Sequence, residues 1–335
     1  DSPVLPGGES VDDSRFVVRY FRKSKDGRLL FGQDATDAQF AEIEDALFRH
    51  KMICFRNQKL THAGQEAFSL RFGAFAEDAY TRGVPNHPNV QPLIKEAGTR
   101  TGVIFGSRWH TDSPFLKAPP AIPMLYGVDI PPYGGDTIWA NSALAYACLS
   151  DTMKTMIAPL RVLMSMGRVV SEAQANNKAD ETPIGRLAGM RELKELPADV
   201  VRKVNGTYHP LVRTHPRTGE RSLYCDQTYA SGIEGMTEEE AAPLLAFLVR
   251  HITQPAFQCR LRWEVGTLAL WDNRSFQHYA VRDYQGTRVL QKGYIQGDRP
   301  VGPLCLAACP VRVEVDDGPD PAGVSADQGR RTCAG

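Results

Sequence analysis

Apolar and polar positions change their rhythm along the chain. From residue 37 the side chains of Phe40, Ile43, Ala46 and Leu47 recur at helical spacing, and Asp37 stands where a helix cap is expected. The burst KMICFRN that follows lacks that period and predicts a strand, and a second helix is expected after Thr61, through Ala67, Leu70 and Phe72. Beyond these the pattern becomes a series of short apolar runs: IPMLYGVDI, DTIWAN, HPLVRTH, RSLYCD, CRLRWEV, GTLALWDN and RVLQKGYIQG. Turn signals such as PPYGG, PRTGE and DYQG separate them. Many short strands at this pitch predict an antiparallel sandwich or barrel. Two helices are interposed. One covers about 143–157, with Asn141 or Ser142 at its start and Pro159 at its end; the other covers about 237–252, where TEEEAAPLLAFLVRHI opens with Thr and acidic residues.

Residues 168–185, RVVSEAQANNKADETPIG, are polar and weakly periodic and interrupt the strand series. Two readings stand side by side, a solvated insertion and an active-site lid. The Pro-, Gly-, Ser- and Asp-rich residues 1–15 and the similar residues 313–335 are expected to be mobile tails, which leaves a single organised domain over 16–312.

With 335 residues and 42% hydrophobic content the chain has ample material for an enclosed active site. Lys+Arg and Asp+Glu both number 39, so no excess positive charge points to nucleic acid or an anionic membrane. No apolar run approaches the roughly 18 residues that would cross a bilayer, and DSPVLPGGESVDDSR has no basic n-region or apolar h-region. The seven scattered cysteines suit reduced thiols better than a disulfide framework. The expectation is a soluble, cytoplasmic protein acting on a small molecule, with neither nucleic acid nor membrane as partner. Assembly into a homo-oligomer is left open.

The candidate chemistry begins in WHTDSPF. On a strand, His110 and Asp112 would point to the same face while Trp109 and Thr111 face the other way. An imidazole and a carboxylate converging in this way, with one more histidine, make a 2-His-1-carboxylate metal site with open positions. A buried His–Asp pair or a surface loop fits the same spacing. Of the other histidines, His50, His62, His87 and His251 belong to helical or loop segments, and His209 and His215 flank a hairpin, where a structural role is favoured. His278 differs, because it follows the strand GTLALWDN in the phrase WDNRSFQHYAVRDY, and a strand late in the series can lie beside the HTD segment. Arg288 and Thr137 are each ordinary alone. Together, a guanidinium fork and a hydroxyl could anchor one end of a dicarboxylate whose other end chelates the metal.

Over about residues 36–299 the sequence resembles the taurine dioxygenase/2,4-dichlorophenoxyacetate dioxygenase (TauD/TfdA) family of Fe(II)- and 2-oxoglutarate-dependent oxygenases. The likeness runs through DAQFAEIEDALFRHKMICFRNQKL, FSLRFG, WHTDSPF, APPAIPMLYGVDIPPYGGDTIWAN, HPLVRTHPRTGERSLY and WDNRSFQHYAVRDY to GDRP. WHTDSPFLKAPPA is most similar to the aryloxyalkanoate-cleaving branch. The resemblance implies a mainly β chain with α, a double-stranded β-helix (jelly roll) core with flanking helices. It implies His110, Asp112 and His278 as iron ligands and catalytic centre, Thr137 and Arg288 as the clamp on the distal carboxylate of 2-oxoglutarate, and Trp271 as a wall beside that clamp. O2 is the other cosubstrate, and succinate and CO2 are released as a small organic substrate is hydroxylated, with bond cleavage where the attacked carbon carries a leaving atom.

Substrate positions transfer less directly. Where family members acting on anions place an arginine four residues after the cosubstrate arginine, this chain has Lys292, which keeps the charge but loses the planar fork. The stretch EDAYTRGVPNHPN has no equivalent of the substrate-binding histidine of the taurine enzymes and offers Tyr80 and Arg82 instead. Two other classes remain open: a metal hydrolase that reuses the facial triad, and a non-catalytic jelly-roll binding protein.

Overall fold

Three apolar clusters, each with its own set of side chains, explain how the strands and helices are arranged in the computed structural model, which describes residues 19–20, 35–76, 83–96, 106, 108–175, 201–202 and 205–303. In chain order the elements are β1 (Arg19–Tyr20), α1 (Asp37–His50), β2 (Met52–Phe55), α2 (His62–Leu70), β3 (Gln91–Glu96), β4 (Ile122–Asp129), β5 (Thr137–Asn141), α3 (Ser142–Ala147) and α4 (Asp151–Ile157). There follow β6 (Arg161–Met164), α5 (Gly167–Ala175), β7 (Thr207–Pro210), β8 (Val212–Thr214), β9 (Arg221–Leu223), β10 (Ala230–Ile233) and α6 (Glu238–Ile252). The chain closes with β11 (Gln258–Leu261), β12 (Leu268–Trp271), β13 (Phe276–Ala280) and β14 (Thr287–Ile295). The result is a mixed α/β fold with mostly antiparallel sheets, β1 with β2 being the one parallel pair among the described strands.

The main sheet has the order β1-β2-β12-β4-β14-β3. Its neighbouring strands β2, β12 and β4 read as nearly continuous apolar runs because both faces are covered, and side chains alternate between two clusters with the strand period of two. Ile53, Phe55, Leu268, Leu270, Met124 and Tyr126 face the layer made by α1 and α2, where Phe40, Leu47 and Phe68 meet them. Met52, Cys54, Ala269, Trp271, Leu125 and Leu290 face the other way, toward Trp139, Leu261 and Phe276 of the sheet β11-β5-β13. A third cluster joins α3 and α6 to the small sheet β10-β6-β7. Among the described residues no helix is long and apolar enough to cross a membrane.

Three local expectations need correction. The first helix is capped by Thr36, not Asp37: Thr36 and Gln39 exchange side-chain and backbone bonds as a capping box, and Asp37 sits in the first turn. The expected helix over 143–157 is two helices, because Ser150 supplies a fresh N-cap to α4 by accepting from the Met153 N–H, at an angle α3 cannot continue. The HTD segment is no strand; His110 makes a single antiparallel bridge with His278 and the chain then bends, with Ser113 at φ 45°. Of the segment 168–185, residues up to 175 lie in α5 and the remainder falls outside the described residues, as do the two expected tails.

Leu270 lies at the centre of β12, fully buried between β2 and β4. Leu270→Ala removes that packing and leaves a cavity, so unfolding in urea is expected to show a loss of about 2–5 kcal/mol.

Candidate metal centre and ligand cavity

The backbone brings the two histidines together. His110 N–H donates to His278 C=O at 3.0 Å and His278 N–H donates to His110 C=O at 2.9 Å, so the residues form a directly opposed pair and their rings lie 4.2 Å apart. Asp112 enters from the bend that follows. Its backbone is gripped by the Asn273 side chain, which accepts from Asp112 N–H at 3.0 Å and donates to Asp112 C=O at 3.0 Å. The Asp112 carboxylate then stands 3.8 Å from His110 Nε2 and 3.9 Å from His278 Nε2, and the three ligand atoms lie within 4.8 Å of one another. These separations are too long for hydrogen bonds and short enough for one cation to reach all three.

The protonation pattern fits a metal. His110 Nδ1–H donates to Arg108 C=O at 2.8 Å, which leaves Nε2, the atom facing Asp112, with its lone pair. Two such imidazoles and one carboxylate form the donor set that suits Fe(II) and leaves positions open for further ligands.

A cavity of about 110 Å³ opens on this cluster and is also lined by Thr137, Trp271, Arg288 and Lys292. Arg288, Leu290, Lys292 and Tyr294 alternate along β14 and so share its inner face. Arg288 is only 2% exposed, yet among the described residues no acidic side chain is within ion-pairing reach and its Nε–H has no acceptor. Among the described residues its acceptor is the backbone carbonyl of Gly135, brought close by the Gly134–Gly135 turn, in which both residues have φ near 70°. Burial pulls the Arg288 pKa below the usual arginine range, but a guanidinium keeps its charge throughout the physiological range. A buried cation that meets a carbonyl dipole and, 5.8 Å away, the Tyr284 ring is costly until an anion joins it. Thr137 Oγ1 accepts from the Trp263 indole N–H at 2.9 Å, so the hydroxyl proton is left to donate into the cavity. The Trp271 ring packs 4.8 Å from that of His278, and its buried N–H has no acceptor among the described residues. Lys292 Nζ lies 4.7 Å over the Tyr294 ring. The cavity thus gathers seven of the nine residues singled out in the sequence; Tyr80 and Arg82 lie outside the described residues.

Three participants escaped sequence reasoning. Tyr229 adds a wall to the cavity and packs on Phe115 at 5.5 Å. Trp263 orients the Thr137 hydroxyl, and Asn273 holds the backbone of Asp112. Only Asn273 had a local signal, its place in the turn WDNR just before His278. That turn is itself set in buried charge. Asp272 accepts from Arg274 Nε at 2.8 Å and faces His215 Nε2 at 2.7 Å; burial pushes its carboxyl up, but Arg274 and His215 outweigh burial and hold it well below the usual carboxylate range.

Comparison with known proteins agrees with this arrangement. The profile of the taurine catabolism dioxygenase TauD, TfdA family matches residues 22–294. An alpha-ketoglutarate-dependent sulfate ester dioxygenase from Pseudomonas putida is 35% identical over 275 residues, covering 80% of this chain and 84% of its own. An alpha-ketoglutarate-dependent 2,4-dichlorophenoxyacetate dioxygenase from Cupriavidus pinatubonensis is 30% identical, over 78% of this chain and 89% of its own. The crystal structure of a taurine dioxygenase from Burkholderia xenovorans superposes with a TM-score of 0.65 at 33% identity, covering 83% of this chain and 86% of that one.

His209 supports the ligand segment from below, its Nε2–H donating to the carbonyls of Pro114 at 2.9 Å and Leu116 at 3.0 Å. Burial pushes its pKa down to about 4. The folded protein therefore keeps His209 neutral where the unfolded chain takes up a proton, and this share of stability is lost as pH falls from about 6.5 toward 4. His209→Gln lacks that titration. Thermal melts are expected to show the variant less stable at pH 7, with its deficit shrinking by on the order of 1–3 kcal/mol as the pH is lowered to 4.5.

Proposed function

The chain belongs to the TauD/TfdA family, and from that premise we propose that His110, Asp112 and His278 hold Fe(II) while Arg288 and Thr137 hold the far carboxylate of 2-oxoglutarate. The protein is a 2-oxoglutarate-dependent non-haem iron dioxygenase that oxidises a small organic substrate. The observation that carries the site assignment is Arg288, a buried guanidinium with no acidic partner among the described residues, in the same cavity as the three metal donors.

When bound, iron with 2-oxoglutarate and O2 supplies the oxidising power to hydroxylate a C–H bond, the cosubstrate leaving as succinate and CO2. The chain's own residues bind and orient. Arg288 presents a planar fork to a carboxylate, and Thr137, its oxygen already engaged by Trp263, adds a donated hydrogen bond in a fixed direction. Leu93, Leu125, Trp271 and Tyr294 make the remaining walls apolar, which limits water at the reacting centre. Lys292 gives the cavity a second positive charge on the strand face that carries Arg288. Its ammonium favours an anionic substrate, such as a sulfate ester or an aryloxy acid. Hydroxylation at a carbon bearing an ester or ether oxygen yields a product that collapses with cleavage of that C–O bond.

The architecture supports a double-stranded β-helix reading, since two sheets face each other, α1 and α2 cover the outer face of the main sheet, and residues of both sheets line the cavity that holds the candidate donors. One domain over 16–312 accommodates all three clusters. Among the described residues Cys54, Cys225 and Cys259 are thiols, which fits a reducing, cytoplasmic setting.

Anaerobic addition of Fe(II) and 2-oxoglutarate to metal-stripped protein is expected to produce a weak visible charge-transfer band that His110→Ala abolishes. Arg288→Leu should retain iron but raise the 2-oxoglutarate concentration for half-saturation by at least about thirtyfold, the cost of losing a buried charge pair. A band indifferent to both substitutions, or substrate turnover under nitrogen, sinks the proposal and favours a hydrolase.

A further inference from the structure

Among the described residues the segment carrying His110 and Asp112 makes one bridge to the sheet, so contacts besides that bridge and the Asn273 grip on Asp112 must set its path. Between β9 and β10 the chain turns through Asp226, Gln227, Thr228 and Tyr229, and this turn grips that segment on both sides of His110. Asp226 Oδ2 accepts from Thr111 N–H at 3.1 Å, and Thr228 Oγ1 donates to Trp109 C=O at 2.9 Å. The other oxygen of Asp226 closes the turn on itself, accepting from Thr228 N–H at 2.9 Å and Tyr229 N–H at 2.6 Å. Tyr229 then projects into the ligand cavity.

Asp226 is 1% exposed and has no ion pair among the described residues. Burial pushes its pKa up to about 6, opposed by backbone N–H groups alone. Keeping a carboxylate there is expensive, and closing a turn does not demand one, since a single side-chain oxygen suffices. What demands two oxygens is the arrangement of donors: the turn's own N–H groups approach one oxygen while Thr111 approaches the other. An asparagine would meet one of these directions with an amide N–H, donor against donor.

We propose that Asp226 is a positioning residue of the metal centre, whose two carboxylate oxygens fix the ligand segment around His110 and Asp112 to the turn that carries the Tyr229 wall of the cavity. One side chain thereby sets both the bite of the metal donors and the distance from metal to substrate. The inference rests on the reading of His110, Asp112 and His278 as ligands.

The test is Mn(II) binding by calorimetry to the full-length chain, followed by 2-oxoglutarate binding at saturating Mn(II), at a temperature well below the melts of all variants. Asp226→Asn is expected to weaken Mn(II) tenfold to a hundredfold, as outer-shell changes do, while 2-oxoglutarate affinity, governed by Arg288 and Thr137 on other strands, changes less than about threefold. Thr228→Val, which keeps the carboxylate, should weaken Mn(II) in the same direction by a smaller factor and serves if Asp226→Asn does not fold. Leu270→Ala, destabilised but remote, should bind Mn(II) like the parent. Parental Mn(II) affinity in Asp226→Asn, or in Thr228→Val should that variant be needed, overturns the proposal, as does equal weakening in Leu270→Ala. A parent that binds no Mn(II), or binding that survives His110→Ala, overturns the ligand assignment itself.

Discussion

Two reciprocal backbone hydrogen bonds between His110 and His278 are the constraint on which the site depends. Opposed residues in an antiparallel pair hold their side chains about 5 Å apart on the same face, so the pairing alone delivers two imidazoles to one point. Asp112 then needs only a short bend to arrive. Because His278 is rooted in β13, which pairs with β5 over five residues, the pair inherits the rigidity of a sheet while the rest of the HTD segment is free of it. The two histidines are therefore placed with precision although the segment that carries His110 and Asp112 is not a strand.

Around that pair the chain separates two tasks. The groups proposed to hold the cosubstrate sit on strands: Thr137 opens β5, Arg288 lies on β14, and Trp271 ends β12. Their spacing follows from register, and the main sheet cannot slip, because a one-residue shift would exchange its two apolar faces. Groups expected to meet the substrate are mixed in origin, since Lys292 shares β14 with Arg288. Tyr229 comes from a turn, and Asp112 leads into a loop. The shared chemistry is thus built into the sheets, and the wall most open to change stands on connections between them.

The residues that line the cavity together, His110, Asp112, His278, Thr137 and Arg288, were legible in the sequence because each is chemically distinctive and sits at a recognisable place: HTD before Ser-Pro, a late histidine after a strand, an arginine within an apolar run. The strand order was not, since the facing of β12 and β13 by β4 and β5 arises from pairings well over a hundred residues apart. Nor were Asn273, Trp263 and Asp226, whose roles are defined by backbone or hydroxyl groups more than a hundred residues away. Local misreadings had local causes. Thr36 outcompetes Asp37 because only Thr36 is three residues from Gln39, and Ser150 restarts a helix that periodicity alone would carry through. The HTD alternation pointed to converging side chains through a strand that does not form, since His110 makes an isolated bridge and the chain bends at Asp112 and Ser113.

Asn273 does more than hold Asp112. Its Nδ2 donates to Asp112 C=O at 3.0 Å and to Pro120 C=O at 2.9 Å, so a single amide clasps the two ends of the stretch from Ser113 to Pro119. A loop closed at its neck can exchange the residues along its rim, or change its length, without transmitting the change to His110 and Asp112. Within a family whose members act on sulfate esters and aryloxyacetates, such a clasp lets selection explore new substrates on one side of an amide while the oxidising centre on the other side stays as it was.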